Sequence, residues 1–268
     1  MSQSSNHSVS PFRTTAAEEA LHSQVQVSVV SHGQMHLARL LLNDLASLGN
    51  PPAVRLTSNL PEQPADALDG LNGVHTINPH PKGFGSNHNQ AFKTCTAPFF
   101  NVVNPDVRLQ INPFPALLRH MQDPRVGLVA PIVLSPDGQV EDNARRFPTL
   151  ASLVRKAIGR DDGRYDPTEP SLKEGFPVEW VAGMFMLFRS EAFRKVGGFD
   201  DKFHLYYEDV DVCARLWTAG WKVVLVPTVS VVHAAQRASR NNPQHMVWHA
   251  ASMARYFSKH LGRLPKVC

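Results

Sequence analysis

Apolar residues recur along the chain in short runs that alternate with stretches of helical spacing. The run from Val25 to Val30 is rich in β-branched residues and predicts a strand. Leucines at positions 37, 40, 41, 45 and 48 then recur at helical spacing, and the Gly-Asn-Pro-Pro sequence at 49–52 ends the predicted helix. This strand–loop–helix unit is the first of a longer series.

The later elements continue the alternation. Predicted strands cover residues 53–58, 74–78, 98–103, 126–134, 222–226 and 229–233, and predicted helices cover 87–94, 113–121, 150–158 and 243–261, with a further helix after an acidic run near residue 208. Strands that alternate with helices predict βαβ units and an α/β fold with a mostly parallel sheet. Ligands bind such sheets at the carboxyl ends of the strands.

Two segments depart from this pattern. Residues 1–24 are polar and lack the apolar core of a signal peptide, so we expect a disordered leader. Residues 137–177 are rich in Arg, Asp, Pro and Gly and predict a long, irregular insertion over a binding face. No apolar run approaches the ~18 residues that a membrane span requires.

Composition adds a charge bias. The net charge is +4, and residues 233–268 carry Arg and Lys but no Asp or Glu. A tail of one sign indicates either an anionic partner (phosphate, anionic lipid or nucleic acid) or a solvated basic helix. Three widely spaced cysteines predict neither a disulfide framework nor a zinc motif, which fits a reducing cytoplasm.

The acidic run Glu208-Asp209-Val210-Asp211 is the main candidate for chemistry. Acidic residues stabilise a helix N-terminus, and Asp211 with Arg215 has the spacing of an i,i+4 pair. Three neighbouring acids repel one another, however, and a helix cap needs only one. The alternative is a general base that takes a proton from a substrate hydroxyl.

Three weaker motifs each allow a structural and a functional interpretation. Asn104-Pro105-Asp106 follows a buried strand and is either a plain turn or a site for a divalent cation between phosphates. The stretch 82–89 holds Gly83 and Gly85 at a helix start, which is either a simple turn or a close approach to an anion. His233 ends an apolar run and is either a packed histidine or a metal ligand.

In their order along the chain, these motifs resemble inverting family 2 glycosyltransferases of the GT-A fold, and most closely the bacterial rhamnosyltransferase-like members. The resemblance extends from Val25 to Lys259. It rests on segments 27–32, 83–89, 104–106, 180–183, 197–200 and 207–211 and on His233. It implies a single GT-A domain at 25–261 with a Rossmann-like central sheet flanked by helices. Residues 25–135 would form the nucleotide-sugar half, 136–261 the acceptor and catalytic half with the insertion and the C-terminal helix, and 262–268 a tail.

The resemblance also implies roles for individual residues. Asp209 matches the catalytic base, with Glu208 beside it. The acceptor would be bordered by Trp180 and Gly183, and Asp106 with His233 would hold Mg²⁺ or Mn²⁺. The remaining matched residues would contact the donor: Ser31, His32, Gly83, Gly85, Asn89 and Asn104. Arg255 and Tyr256 of the C-terminal helix would meet the diphosphate. Asn104 replaces the first Asp of the family's DxD motif, which leaves one carboxylate for the metal.

These assignments imply transfer of a sugar from a nucleotide-diphosphate donor, dTDP-rhamnose or a UDP-sugar, to a bacterial cell-surface glycan or a lipid-linked saccharide. We expect a cytoplasmic protein with peripheral contact at the inner membrane face. The alternatives are a non-catalytic nucleotide- or glycan-binding protein on the same fold and a nucleic-acid binder. The chain shows no nucleic-acid recognition motif, so we predict no nucleic-acid partner.

Overall fold

A computed structural model describes residues 24–62, 67–159, 163–165, 174–234 and 243–267. The predicted leader lies outside these residues except for its last position, and so do parts of the predicted insertion. Within the described ranges, no helix is both long and apolar enough to span a membrane.

The described elements follow the predicted alternation. The strands are β1 (Val25–Ser31), β2 (Ala53–Ser58), β3 (Gly73–Ile77), β4 (Phe99–Val103), β5 (Val107–Arg108), β6 (Val126–Leu134), β7 (Ala144–Arg145), β8 (Phe176–Pro177), β9 (Trp180–Val181), β10 (Phe185–Arg189) and β11 (Lys222–His233). The helices are α1 (Met35–Ala46), α2 (Phe84–Phe92), α3 (Phe114–His120), α4 (Leu150–Ala157), α5 (Ser190–Lys195), α6 (Glu208–Thr218) and α7 (Pro243–His260).

A mixed sheet forms the centre, with strand order β3-β2-β1-β4-β10-β6-β11-β5 and with β8 beside β11. The pairs β1–β2, β2–β3, β1–β4 and β6–β11 are parallel. Strand β10 lies between β4 and β6 and is antiparallel to both. The α/β fold with a sheet flanked by helices is therefore confirmed, and the antiparallel β10 is an addition that the sequence pattern does not predict.

The core has two apolar layers, one on each face of the sheet. Strand β4 shows how alternation divides its side chains, because Phe99 and Val103 point into one layer while Phe100 and Val102 point into the other. Strand β4 is buried along its whole length. Polar groups that follow it in sequence are consequently placed at the sheet edge, where they can meet a ligand.

Two predicted boundaries need correction. Strand β11 is one strand with a register shift between Val226 and Ser230, where two strands were expected. Helix α2 begins at Phe84, where the prediction began at residue 87, so Ser86 lies inside the helix and donates to Oδ1 of Asp201. The two-residue strands β5, β7, β8 and β9 were not predicted because such short segments carry no periodicity.

Candidate active site

The carboxyl end of β4 lies beside the start of β10, and this junction locates the acidic helix. The backbone N–H of Asn104 donates to the carbonyl of Met184 at 3.0 Å. One residue earlier, the N–H of Gly183 donates to Oδ2 of Asp209 at 3.1 Å. The Asn-Pro-Asp segment and the carboxylate of Asp209 are therefore held near the same edge of the sheet by consecutive backbone contacts.

A strained turn delivers Asp209 to this position. Tyr206 and Tyr207 have φ values of 72° and 65° and are the described non-glycine residues with positive φ. Left-handed backbone costs free energy for any residue with a Cβ, and it concentrates at functional sites. The turn leads directly into α6, where the N–H of Val210 donates to Oδ1 of Asp209 at 2.8 Å. Both carboxylate oxygens of Asp209 thus accept a backbone hydrogen bond.

Burial changes the acidity of the first two acids. It raises the pKa of Asp209 to about 6, against the opposing effect of the backbone hydrogen bonds. Burial, and then the charge of Asp209, raise the pKa of Glu208 well above its usual range. Oε2 of Glu208 is buried and has no hydrogen-bond partner among the described residues. A base that loses its proton near neutral pH lies next to a carboxyl that favours its neutral form.

Asp211 is a structural residue. Its side chain is fully buried and accepts hydrogen bonds from Arg215 and His260, both at 2.8 Å, with Lys259 at 2.7 Å. Burial alone would raise the pKa of Asp211, but these partners lower it overall. The predicted pair with Arg215 is confirmed, and two residues of α7 join it.

The predicted metal residues meet although they are far apart in sequence. Strand β5 pairs with the end of β11, which places Nε2 of His233 3.3 Å from Oδ1 of Asp106. Nδ1 of His233 donates to Oε2 of Glu141 at 2.8 Å. Burial lowers the pKa of His233, but the two carboxylates outweigh it and the net shift is upward. Sequence reasoning missed Glu141, a lone acid in an irregular segment without a motif.

Asp106 and His233 supply some, but not all, of the ligands that a divalent cation needs. Oδ1 of Asp106 is buried, and among the described residues it lies at ion-pair distance from Nε2 of His233 without forming a hydrogen bond. A carboxylate with an imidazole is a known combination for first-row ions. Within the described residues, no group of three or more His, Cys, Asp or Glu side chains is arranged to hold a metal by itself. Any cation would therefore need further oxygen ligands from water or a substrate.

The predicted nucleotide-facing residues lie at the carboxyl end of β1. Ser31 is buried, and its hydroxyl donates to Oε2 of Glu62 at 2.7 Å. Glu62 also accepts from the N–H groups of Gly33 and Met35 at the start of α1. His32 is exposed, with Nδ1 2.9 Å from Nδ2 of Asn59. Of this pair only His32 is open to a ligand, and the donor contacts stay predictions.

The glycine segment packs against the chain itself. A Cβ on Gly83 would lie 2.5 Å from the carbonyl oxygen of His204, and one on Gly85 would lie 2.6 Å from Cβ of Phe199. The side chain of Asn89 bonds the N–H and the carbonyl of Phe199 at 2.9 and 2.8 Å. These contacts explain the residue types by packing, so the predicted donor roles of Gly83, Gly85 and Asn89 gain no support here.

The two predicted phosphate ligands of α7 are engaged elsewhere. Tyr256 is fully buried and stacks on Tyr207 with ring centroids 5.3 Å apart. Arg255 lies over the ring of Phe203 and 3.4 Å from Oδ2 of Asp200. A phosphate contact by Tyr256 would require α7 to move, because its hydroxyl is enclosed. The role of Arg255 stays a prediction.

A cavity of about 470 Å³ opens beside Asp209. Trp180, predicted for the acceptor, lines it and donates from Nε1 to the carbonyl of Arg146 at 2.9 Å. Glu208, Asp209 and the two strained tyrosines also line it, together with residues of α4 and with His249 and Met253 of α7. Four cations also line the cavity: Arg145, Arg146, Arg155 and Lys156. The candidate base therefore faces a basic pocket.

Sequence comparison identifies the family. The profile described as "Glycosyl transferase family group 2" matches residues 101–251, and the chain belongs to this family. Among its relatives is the N-acetylglucosaminyl-diphospho-decaprenol L-rhamnosyltransferase of Mycobacterium tuberculosis, 36% identical over 165 residues, which are 56% of this chain and 52% of the relative. The chain thus spans about half the length of that curated relative. Rhamnosyltransferase WbbL of Escherichia coli is 25% identical over 88% of this chain and 93% of its own.

Solved structures agree on the fold. GalNAc-T7 with UDP, GalNAc and Mn²⁺ superimposes with a TM-score of 0.66 at 14% identity, covering 87% of this chain and 47% of that one. The mannosyltransferase PcManGT of Pyrobaculum calidifontis, in complex with GDP-Man and Mn²⁺, gives 0.58 at 16% identity, covering 87% of this chain and 64% of that one. The GT-A fold implied by the resemblance is confirmed.

Proposed function

We propose that this protein is an inverting glycosyltransferase that moves a sugar from a nucleotide-diphosphate donor to a hydroxyl of a lipid-linked saccharide. The observation that carries the proposal is the position of Asp209. Its carboxylate is fixed by the N–H groups of Gly183 and Val210 at the wall of the 470 Å³ cavity, near the sheet edge that bears Asp106 and His233.

The chemistry requires one base and one displacement. Asp209 takes the proton of the acceptor hydroxyl, and this oxygen attacks the anomeric carbon from the face opposite the nucleotide. The bond from the anomeric carbon to the diphosphate oxygen breaks, and its electron pair leaves with the diphosphate. Because attack and departure occur on opposite faces, the anomeric centre is inverted. The raised pKa of Asp209, about 6, allows the group to be ionised at neutral pH and still hold a proton well enough to act as a base.

Asp106 and His233 are the residues that would hold a divalent cation. When bound, Mg²⁺ or Mn²⁺ would offset the negative charge that develops on the departing diphosphate. Glu141 fixes the ring of His233 through Nδ1 and leaves Nε2 directed toward Asp106.

The basic cavity supports an acceptor that carries phosphate. Arg146, Arg155 and Lys156 line the same space as the base, and arginine is well suited to bind phosphate oxygens. The mycobacterial relative is named for a diphospho-decaprenol acceptor, and its name together with the charge of this cavity favours an acceptor of that class. A rhamnosyl donor is supported by the names of the two relatives.

Ligand-induced thermal stabilisation tests the donor half of the proposal. UDP, dTDP, GDP and CDP are compared with their monophosphates, with and without Mn²⁺. We expect one diphosphate to raise Tm in the presence of Mn²⁺ and its monophosphate to do so less, because the second phosphate supplies the missing oxygen ligands. No shift with any diphosphate would contradict a donor site.

A transfer assay tests the acceptor half. Purified protein is incubated with the matching nucleotide sugar and a polyprenyl-diphosphate-linked saccharide, and the product is analysed by mass spectrometry and by NMR of its anomeric centre. We expect a product one sugar larger with an inverted anomeric configuration. A retained configuration would overturn the mechanism, and a protein that binds nucleotide but never transfers sugar would favour the non-catalytic alternative.

A further inference from the structure

Helix α4 exposes its apolar side to solvent and turns its polar side toward the protein, which is the reverse of the usual arrangement. Leu150 and Val154 of α4, and Ile158 at its carboxyl-terminal cap, follow one another at intervals of four and form a single stripe. They are 53%, 62% and 63% exposed, and none of the described side chains of α4 is buried. A surface helix of a globular protein normally turns its apolar stripe to the core. This stripe is directed away from it.

The opposite side of α4 faces the candidate active site. Thr149, Ser152, Arg155 and Lys156 line the cavity that contains Asp209. A capping box formed by Thr149 and Ser152 fixes the start of the helix, so its orientation is locally defined. The sequence of α4 contains no acidic residue, and among the described residues Arg155 and Lys156 form no ion pair.

Helix α7 adds to the same side of the molecule. His249 and Met253 of α7 line the same cavity as α4. Burial, followed by the charge of Lys156, lowers the pKa of His249, which shows that the two helices are close enough to interact. One turn before His249, Met246 and Val247 are 67% and 61% exposed. Exposed apolar residues thus occur on both helices that border the cavity.

We infer that the exposed face of α4 is a membrane-docking surface that seats the protein on an anionic lipid bilayer. Leu150, Val154 and Ile158 insert into the boundary between headgroups and acyl chains, and Arg155 with Lys156 lies at the level of the lipid phosphates. An apolar stripe opposite a polar side that carries Lys and Arg but no acids is typical of helices that lie in a membrane interface. An anionic surface also complements the net charge of +4.

This docking would carry the cavity to the depth at which a lipid-linked phosphate emerges from the bilayer. The inference therefore extends the proposed function, from which it takes the lipid-linked acceptor. Membrane binding is nevertheless measured independently of catalysis, so failure of one does not imply failure of the other.

Flotation of the full chain with vesicles tests the inference. Vesicles of phosphatidylcholine alone are compared with vesicles that also contain phosphatidylglycerol, at low and high salt. We expect strong binding to the anionic vesicles, weaker binding to the zwitterionic ones, and a decrease with salt. The triple variant Leu150→Gln, Val154→Gln and Ile158→Gln should reduce partitioning at least about tenfold, because three inserted apolar side chains are lost.

A matched control removes apolar surface elsewhere. Ile77 and Ile111 are 55% and 57% exposed and lie outside α4 and α7, so Ile77→Gln with Ile111→Gln should leave vesicle binding unchanged. The triple variant should keep the wild-type Tm and its shift with nucleotide, since its three positions are exposed and do not line the cavity.

Three results would overturn the inference. One is wild-type protein that does not float with anionic vesicles, and another is a triple variant that floats as well as the wild type. The third is a wild-type dimer that the triple substitution converts to a monomer in size-exclusion chromatography without any change in vesicle binding, because the stripe would then bind a second copy. Wild-type protein that binds anionic vesicles but transfers no sugar would contradict the proposed function alone.

Discussion

Asp209 and Asp211 belong to one acidic run, yet the structure gives them opposite surroundings. Asp211 is fully buried among Arg215, Lys259 and His260, whereas Asp209 accepts only backbone hydrogen bonds and opens on the cavity. A carboxylate paired with cations is a poor base, and one without a cationic side-chain partner can exchange a proton. The division of roles follows from these contacts.

The raised pKa of Asp209 predicts the pH dependence of transfer. A base must be ionised, and this group holds its proton below a pKa of about 6. We expect kcat/KM to be level above about pH 7 and to fall tenfold per pH unit below 6. An aspartate at its ordinary pKa of about 3.9 would instead keep nearly full activity to about pH 5. A flat profile down to pH 4.5, with Tm unchanged over that range, would contradict the assignment.

Substitution of Gly85 distinguishes a packing role of this glycine from a role in ligand contact. The Cβ of a Gly85→Ala variant would lie 2.6 Å from Cβ of Phe199, while nothing lies within 4 Å of a Cβ at Gly49. We expect Gly85→Ala to lower the free energy of unfolding by about 1–3 kcal/mol and Gly49→Ala to change it by less than about 0.5 kcal/mol. Urea denaturation measures both. A Gly85→Ala variant of unchanged stability with weakened nucleotide binding would restore the donor role.

Among the secondary-structure elements, α6 and α7 depend on each other. Asp211 on α6 binds Lys259 and His260 on α7, and Tyr207 at the start of α6 stacks on Tyr256 of α7. The C-terminal helix thereby supports the strained turn that orients Asp209. The buried residues of α7 are Ser252, Tyr256 and His260.

Removal of the Asp211 carboxylate should loosen this support. Asp211→Ala leaves Arg215 and Lys259 without their buried acceptor, so we expect a loss of about 3 kcal/mol in unfolding free energy. Because its partners lower the pKa of Asp211, its contribution is present above the unfolded pKa and disappears as the pH falls through the lower folded value. The wild-type and variant stabilities should therefore converge in acid. Equal stability at pH 7 would refute the role.

Glu141 should act on the cation through His233. Its carboxylate accepts from Nδ1 of His233, and loss of such a partner typically weakens metal binding by about ten- to a hundredfold. We expect Glu141→Gln to raise the Mn²⁺ concentration needed for the nucleotide-dependent Tm shift by about tenfold. Glu191→Gln, at an exposed position in the first turn of α5, serves as the control. An unchanged Mn²⁺ requirement in Glu141→Gln would exclude this positioning role.

Over the whole molecule, hydrophobic periodicity predicted those helices and strands whose residue pattern is set by burial of one face. The parallel strands, α1 and α7 carry long apolar patterns, and their predicted bounds differ from the structure by few residues. The antiparallel insertion of β10, the β5–β11 pairing and the contacts of Glu62 and Glu141 depend on residues distant in sequence, which periodicity does not report. The same limit applies to the glycines, because only tertiary structure shows that Phe199 and His204 are what they approach.

The predicted site residues are those that lie in recognisable sequence motifs. The resemblance brought Asp209, Asp106 and His233 to attention, and the structure places them near one sheet edge. It also indicated Tyr256, a residue that the structure encloses. Motif order conveys which positions matter, but the direction of a side chain depends on packing that a single sequence does not contain.

In the proposed mechanism Asp209 is the base of the sugar transfer, and an isosteric substitution separates this role from nucleotide binding. Transfer rate and nucleotide-dependent Tm shift are measured on the same preparations of wild type, Asp209→Asn and the control Asp69→Asn, at an exposed position between β2 and β3. We predict that Asp209→Asn lowers kcat by about 10²–10⁴-fold and keeps the Tm shift, while Asp69→Asn keeps both. Undiminished transfer by a folded, nucleotide-binding Asp209→Asn variant would contradict the account.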